Sequence, residues 1–281
     1  MKIAGVQYTA GADWQINLKQ LDELLDQVPF FSPDILVLPE NVFCQGGDYR
    51  ALAEQHGQVL HDWLSATAQR LGVWLVAGSV PLATRPDGEP VPAPRVRAAM
   101  LVFSPQGEQV ARYDKLHLFD VEVGDSHGRY QESAQFEPGD QVVLADIGGL
   151  KTGLMICYDL RFPLLAQRLR QRGAELLIYP SAFTAVTGRA HWELLLRARA
   201  VETGCYVLGV NQCGWHSSTR QSFGHSMLVD PWGQSVSALQ DAPGLLVAEI
   251  NLDEMHDIRR RLPVHAHQRL AVSLPDDLRE S

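Results

Sequence analysis

The segment Pro33-Asp34-Ile35-Leu36-Val37-Leu38-Pro39-Glu40 returns in its pattern as Ala174-Glu175-Leu176-Leu177-Ile178-Tyr179-Pro180-Ser181. Each copy reads as a short apolar strand entered from an acidic residue and stopped by proline. Continuous apolar strands of this kind belong to parallel sheets buried on both faces. Strand and helix alternate around both copies. In the first half, 3–8 is β-rich, and 14–28 spaces Ile16, Leu18, Leu21, Leu24, Leu25 and Val28 as a helix does. After the first copy come a helix over 59–71 and strands at 73–80 and 98–103, with a Pro-rich loop over 81–94 between the strands. In the second half, strand 152–157 and helix 163–172 precede the copy. Helix 191–203, closed by Gly204, follows it, then strands at 205–210, 226–229 and 245–250 and a basic stretch over 259–269. Two such halves bury their strands when each sheet carries its own helices and the bare faces meet. The expectation is one α/β domain over 1–281, a four-layer α-β-β-α sandwich with a pseudo-two-fold internal repeat.

Composition narrows the function classes. Lys plus Arg is 24 against 33 for Asp plus Glu, a net charge of −9 with no dense basic block, which argues against a nucleic-acid partner. No stretch is apolar enough for a signal peptide or a membrane helix. The four cysteines (Cys44, Cys157, Cys205, Cys213) are widely spaced, as reduced cytosolic thiols are, so a cytoplasmic location is expected. The ten histidines lack metal-site spacing, with only His265-x-His267 close together, and neither a metal nor a cofactor is expected.

Three residues sit where strands give way to loops, the places where rigid elements position reactive groups. Glu40 follows Val37-Leu38-Pro39. Lys115 lies in Arg112-Tyr113-Asp114-Lys115-Leu116-His117-Leu118. Cys157 follows Gly153-Leu154-Met155-Ile156. A helix starting just after Cys157 is expected to lower the thiol's pKa. Taken singly, a strand cysteine is more often structural, a glutamate after Leu-Pro solvated and a loop lysine a surface charge. Together they supply a nucleophile, a proton acceptor and an electrostatic clamp.

Leu38-Pro39-Glu40, Tyr113-x-Lys115-x-His117-Leu118 and Cys157-Tyr158-Asp159-x-Arg161-Phe162-Pro163 resemble, in order, the three signature motifs of the nitrilase superfamily of carbon–nitrogen hydrolases. The resemblance spans nearly the whole chain and implies the same four-layer fold. It places the Glu-Lys-Cys triad on Glu40, Lys115 and Cys157, and a further active-site glutamate on Glu132. It implies a cysteine-dependent amidase working through a thioester with release of ammonia. Glu40 would move the protons, and Lys115 with the Tyr158 backbone N–H would form the oxyanion hole. Glu132 would orient Lys115.

Within the family, Tyr179-Pro180-Ser181-Ala182-Phe183, Thr187-Gly188-x-Ala190-His191-Trp192-Glu193, Leu195-Leu196-Arg197-Ala198-Arg199-Ala200, Gly224-His225-Ser226-Met227-x-Val229-Asp230-Pro231-Trp232-Gly233 and Leu118-Phe119-Asp120-Val121-Glu122 are similar to the branch holding deaminated glutathione amidase and omega-amidase. That likeness implies a small carboxylate-bearing amide as substrate, deaminated glutathione yielding 2-oxoglutarate and Cys-Gly. The alternatives are 2-oxoglutaramate, or the nitrile or simple aliphatic amide of other carbon–nitrogen hydrolases. Phe183 and Thr184 are expected to line the pocket. Arg129, His127, Arg161 and Arg189 are candidates to hold a carboxylate, although Arg161 has a plainer reading as the partner of Asp159. Where relatives often carry Tyr-Asn ahead of the lysine motif, this chain has Arg97-Ala98, a change expected to alter hydrogen bonding near Glu40 or Lys115. Assembly through helix 191–203, as in relatives, implies a homodimer.

Overall fold

The computed structural model describes residues 1–270 and 278–280. The first half contains β1 (Lys2–Gln7), α1 (Trp14–Leu25), β2 (Ile35–Val37), α2 (Tyr49–Leu71), β3 (Trp74–Val76), β4 (Val80–Leu82), β5 (Arg97–Phe103) and β6 (Gln109–Asp114). A hairpin, β7 (Asp120–Glu122) and β8 (Arg129–Gln131), leads to β9 (Gln141–Val142). The second half contains β10 (Leu144–Ile147), β11 (Leu150–Leu154), α3 (Pro163–Gln171), β12 (Leu176–Ser181), α4 (Ala185–Thr203) and β13 (Tyr206–Asn211). Then come the hairpin β14 (Cys213–Trp215) and β15 (Gln221–Phe223), followed by β16 (Met227–Val229), β17 (Ser235–Ala238), β18 (Gly244–Glu249), α5 (Leu252–Arg261) and β19 (Arg279–Glu280).

One sheet runs β18-β1-β2-β3-β5-β4 with β6 beside β5, and the other runs β10-β11-β12-β13-β16-β17. Each centres on three parallel strands, β1-β2-β3 in one and β11-β12-β13 in the other, joined by helical crossovers. The repeat read in the sequence is therefore a repeated βαβαβ unit, with β2 and β12 in equivalent places.

Alternation along the strands builds the layers. On β1 and β2, Ile3, Ile35 and Val37 join a core with Leu154, Ile178 and Val210 of the other sheet. Ala4, Val6, Leu36 and Leu38 face the other way, onto Leu21 and Leu25 of α1 and Leu60 and Leu64 of α2. Glycines sit where the layers approach most closely. A Cβ on Gly5 would stand 2.8 Å from a Val210 methyl across the sheet interface, and one on Gly209 would stand 2.5 Å from the Trp192 ring of α4.

Several elements differ from the sequence reading. Helix α2 begins ten residues earlier than expected, where Asp48 caps it by accepting from Ala51 N. Its first turns are polar and interrupted by Gly57, which hides their periodicity. The expected strand over 73–80 is two strands, broken at Gly78. The basic stretch begins inside α5, where Arg259 donates to the carbonyls of Gly204 and Ala174 and so ties the end of α4 to the start of β12.

Candidate active site

Parallel strands deliver the reactive groups at their C-terminal ends, and the two sheets bring two such ends together. The chain leaves β2 through Leu38 and Pro39, and Glu40 lies one residue before Asn41, which is left-handed at φ 53°. Gly78 makes this turn possible. It has φ 66°, and a Cβ there would lie 1.9 Å from the Pro39 carbonyl oxygen, so only glycine lets β3 pass so close. From the opposite sheet, Gln212 donates Nε2 to the Glu40 carbonyl at 2.9 Å while its Oε1 accepts from Ala10 N at 2.7 Å. One side chain thus fixes the glutamate loop to the second half of the molecule.

Cys157 does not end a strand. The strand stops at Leu154, and Cys157 opens a short 3-10 helix, Cys157–Arg161, with left-handed backbone at φ 46°. A β-carbon-bearing residue at this angle is strained and persists because its surroundings hold it. The restraint is Asp159, fully buried. It accepts from Ile156 N at 2.8 Å, the Tyr113 hydroxyl at 2.7 Å, His117 N at 3.1 Å and His117 Nδ1 at 2.7 Å. Asp159 is therefore committed to the lysine motif, and the pairing with Arg161 read from the sequence does not form. The His117 ring also stacks on Phe162 at 3.6 Å between centroids.

At the centre, Lys115 Nζ donates to Glu40 Oε1 at 2.7 Å and to both Glu132 oxygens at 2.8 and 2.9 Å. Glu40 Oε2 accepts from Ala182 N at 2.8 Å, and Glu132 Oε2 accepts from Phe119 N at 2.5 Å. All three charged side chains are withdrawn from solvent. Burial works against the ammonium of Lys115, but the two carboxylates outweigh it and hold the lysine well above its ordinary pKa. Burial raises Glu132, with Lys115 opposing. The Cys157 thiol lies within hydrogen-bonding reach of Glu40 and of the Ala182 N–H. Burial and the Glu40 charge push it well above the ordinary thiol range, Lys115 offsetting only part. The lowered thiol pKa expected from a following helix is thus reversed. Helix α3 starts only at Pro163, and removing a thiolate from water beside a carboxylate costs more than a distant helix end returns.

The pocket over these groups has a volume of about 110 Å³. Glu40, Lys115, Glu132, Cys157, Tyr158, Phe183, Thr184 and His127 line it. Arg129 and Arg189 fall outside it. Arg129 alternates with Tyr130 on β8, so Tyr130 turns inward and the arginine to solvent, and Arg189 lies on the exposed side of α4. Arg161 also stays outside the lining, its guanidinium 5.2 Å from the Phe183 ring centroid and its Nη1 3.2 Å from His191 Nδ1. Ala98 meets the lysine motif through its carbonyl, which accepts from Lys115 N at 3.0 Å, so the main chain makes the contact there.

The residue that reading missed is Arg220, which lines the pocket from the β14–β15 turn. A lone arginine in Ser217-Ser218-Thr219-Arg220 carries no sequence signal. Its turn is firmly built. His216 N donates to the Arg220 carbonyl at 2.9 Å, and the His216 ring bridges the Ala10 carbonyl at 2.7 Å and Ser222 Oγ at 2.8 Å. Burial pushes the His216 pKa down to about 4, so the ring is neutral there at neutral pH. Opposite, Asp125 accepts from the backbone of His127 and Gly128 and from the Tyr130 hydroxyl, shaping the β7–β8 loop. Ser126 Oγ donates to the Thr219 carbonyl at 2.9 Å, and so the two hairpins meet beside the pocket.

Residues 2–260 match the carbon-nitrogen hydrolase family. The chain is 40% identical to a deaminated glutathione amidase of Yersinia enterocolitica, over 99% of this chain and 96% of that one. The C. elegans NitFhit protein superposes with a TM-score of 0.86 at 35% identity, over 95% of this chain and 65% of that longer one. Saccharomyces cerevisiae Nit3, a member of branch 10 of the nitrilase superfamily, superposes with a TM-score of 0.83 at 28% identity, over 96% of this chain and 97% of that one.

Proposed function

The chain belongs to the carbon-nitrogen hydrolase family and is an amide-hydrolysing enzyme, and from that premise we propose that residues 1–281 form one catalytic domain cleaving the side-chain-derived amide of deaminated glutathione through Cys157. The observation that carries the chemistry is the buried Lys115 ammonium clamped between Glu40 and Glu132 against a protonated thiol.

A thiol held neutral needs its proton removed as it attacks, and Glu40 is the acceptor within reach. The thiolate adds to the amide carbonyl. The oxygen that becomes negative is met by the Lys115 ammonium and the Tyr158 N–H. Glu40, now carrying the thiol proton, gives it to the departing nitrogen. The resulting thioester is opened by a water that Glu40 deprotonates, and the thiol is restored. Glu132 keeps Lys115 charged and aimed throughout. One detail of the sequence reading changes: the nitrogen of deaminated glutathione belongs to Cys-Gly, so an amine departs, and ammonia leaves only from primary amides such as 2-oxoglutaramate.

The support for this substrate is the 40% identical deaminated glutathione amidase, together with a pocket lined by an arginine as well as by Glu40, Lys115 and Cys157. The test compares kcat/KM for deaminated glutathione, 2-oxoglutaramate and butyramide, with and without a chelator. The expected order places deaminated glutathione first by at least about tenfold, unchanged by chelation. Preference for butyramide would overturn the substrate, and loss of activity on chelation would overturn the metal-free mechanism.

We further propose a cytoplasmic homodimer. On α4, Leu194 is 65% and Val201 44% exposed, and Trp232 beside them is 52% exposed, an apolar face suited to a second copy. Sedimentation equilibrium should return twice the chain mass, and a monomer would remove the proposal.

A further inference from the structure

We propose that Arg220 is the carboxylate receptor of the active-site pocket, engaging the anionic end of the substrate while its amide end lies at Cys157. The inference rests on the amidase reading above and names the group that selects acidic substrates. Among the described residues no carboxylate forms an ion pair with Arg220, although the chain supplies acidic partners to Arg85, Arg97, Arg112, Arg168 and Arg199.

Its neighbours are neutral and they orient it. The Gln45 amide oxygen lies 2.7, 2.8 and 2.9 Å from Nη2, Nη1 and Nε. The Tyr130 ring centroid is 5.4 Å from Cζ. An aromatic ring and a neutral amide thus restrain the planar group, and neither cancels its charge. A guanidinium edge matches a planar two-oxygen anion, whose two parallel hydrogen bonds also fix orientation. The floor of the pocket excludes the opposite arrangement, because a carboxylate placed at Cys157 would face Glu40 and Glu132. The substrate is therefore polarised, with its acid end at Arg220 and its amide end at the thiol.

Deaminated glutathione carries two carboxylates, one on the 2-oxo-acid side and one on glycine, whereas 2-oxoglutaramate carries only the first and butyramide neither. For Arg220→Gln, the ratio of kcat/KM on deaminated glutathione to that on butyramide should fall about 10- to 100-fold, mainly through KM. Arg220→Lys should recover part of the loss. A parallel fall with 2-oxoglutaramate assigns the receptor to the oxo-acid side, and a fall with deaminated glutathione alone assigns it to glycine. Ratios within about threefold of wild type for both acids would overturn the proposal. Equal loss on butyramide would do the same, since it marks a structural role. Binding separates this result from failure of the substrate reading. Calorimetry on Cys157→Ala, with and without Arg220→Gln, measures 2-oxoglutarate and cysteinylglycine directly. Arg220-dependent binding of either supports the receptor even where turnover favours another amide, and binding indifferent to Arg220 refutes it.

Discussion

Replacing Cys157 by alanine should lower kcat/KM by on the order of 10⁵-fold while leaving the fold intact, because acyl transfer without the nucleophile has no covalent route. The site makes the structural half of this expectation specific. Ala182 N donates to Glu40, Gln212 holds the Glu40 backbone, and Asp159 holds the turn, and none of these contacts uses the sulfur. The melting temperature should therefore stay close to that of the wild type. Serine at this position should be almost as inactive. A hydroxyl is a far weaker acid than a thiol, and burial beside Glu40 penalises its anion further. A second readout uses the wild-type thiol. Its pKa lies above the ordinary range, so its thiolate fraction is small at neutral pH and grows as pH rises. Iodoacetamide labelling should be slow at pH 7 and still accelerating above pH 9. Turnover by Cys157→Ala would remove Cys157 from the role given to it, and a labelling plateau near neutrality would overturn the neutral resting thiol.

The labelling experiment touches the point where sequence and structure part most sharply. Position was legible: the repeated strand at 33–40 and 174–181 placed β2 and β12 in equivalent parts of two sheets, and the residues at strand ends converge. Electrostatics was not. A thiol before a proline-initiated helix looks activated until burial and a facing carboxylate 117 residues away in the chain are both known. The same limit applies to the carboxylate candidates. Arg129, Arg161 and Arg189 are near the motifs in sequence, but strand alternation and helix phase turn them away from the pocket, while Arg220 arrives from a turn far downstream. Motif spacing records which residues the chemistry needs. Which side chain of a hairpin points inward depends on register, and register is set by partners that a short polar strand does not announce.

Asp159→Asn should cost about 3–5 kcal/mol of stability in urea unfolding. The carboxylate accepts from four donors, and all of its surface is buried. An amide of the same shape turns an NH₂ toward two of those donors, leaving them unsatisfied where no water reaches. Consequences for catalysis follow from what the donors belong to. Tyr113 and His117 flank Lys115, and Ile156 precedes Cys157, so this one side chain sets the distance between Lys115 and Cys157. Loss of register by about 1 Å is enough to lower kcat on the order of 100-fold. KM should change less, because the Arg220 side of the pocket is built from other hairpins. Arg161→Ala provides the contrast: its guanidinium rests over aromatic rings and makes no contact with Asp159, so stability should change by less than about 1 kcal/mol. If Asp159→Asn unfolds at the wild-type midpoint and keeps its kcat, the left-handed turn at Cys157 is held by something other than the bridge from Asp159 to the lysine motif.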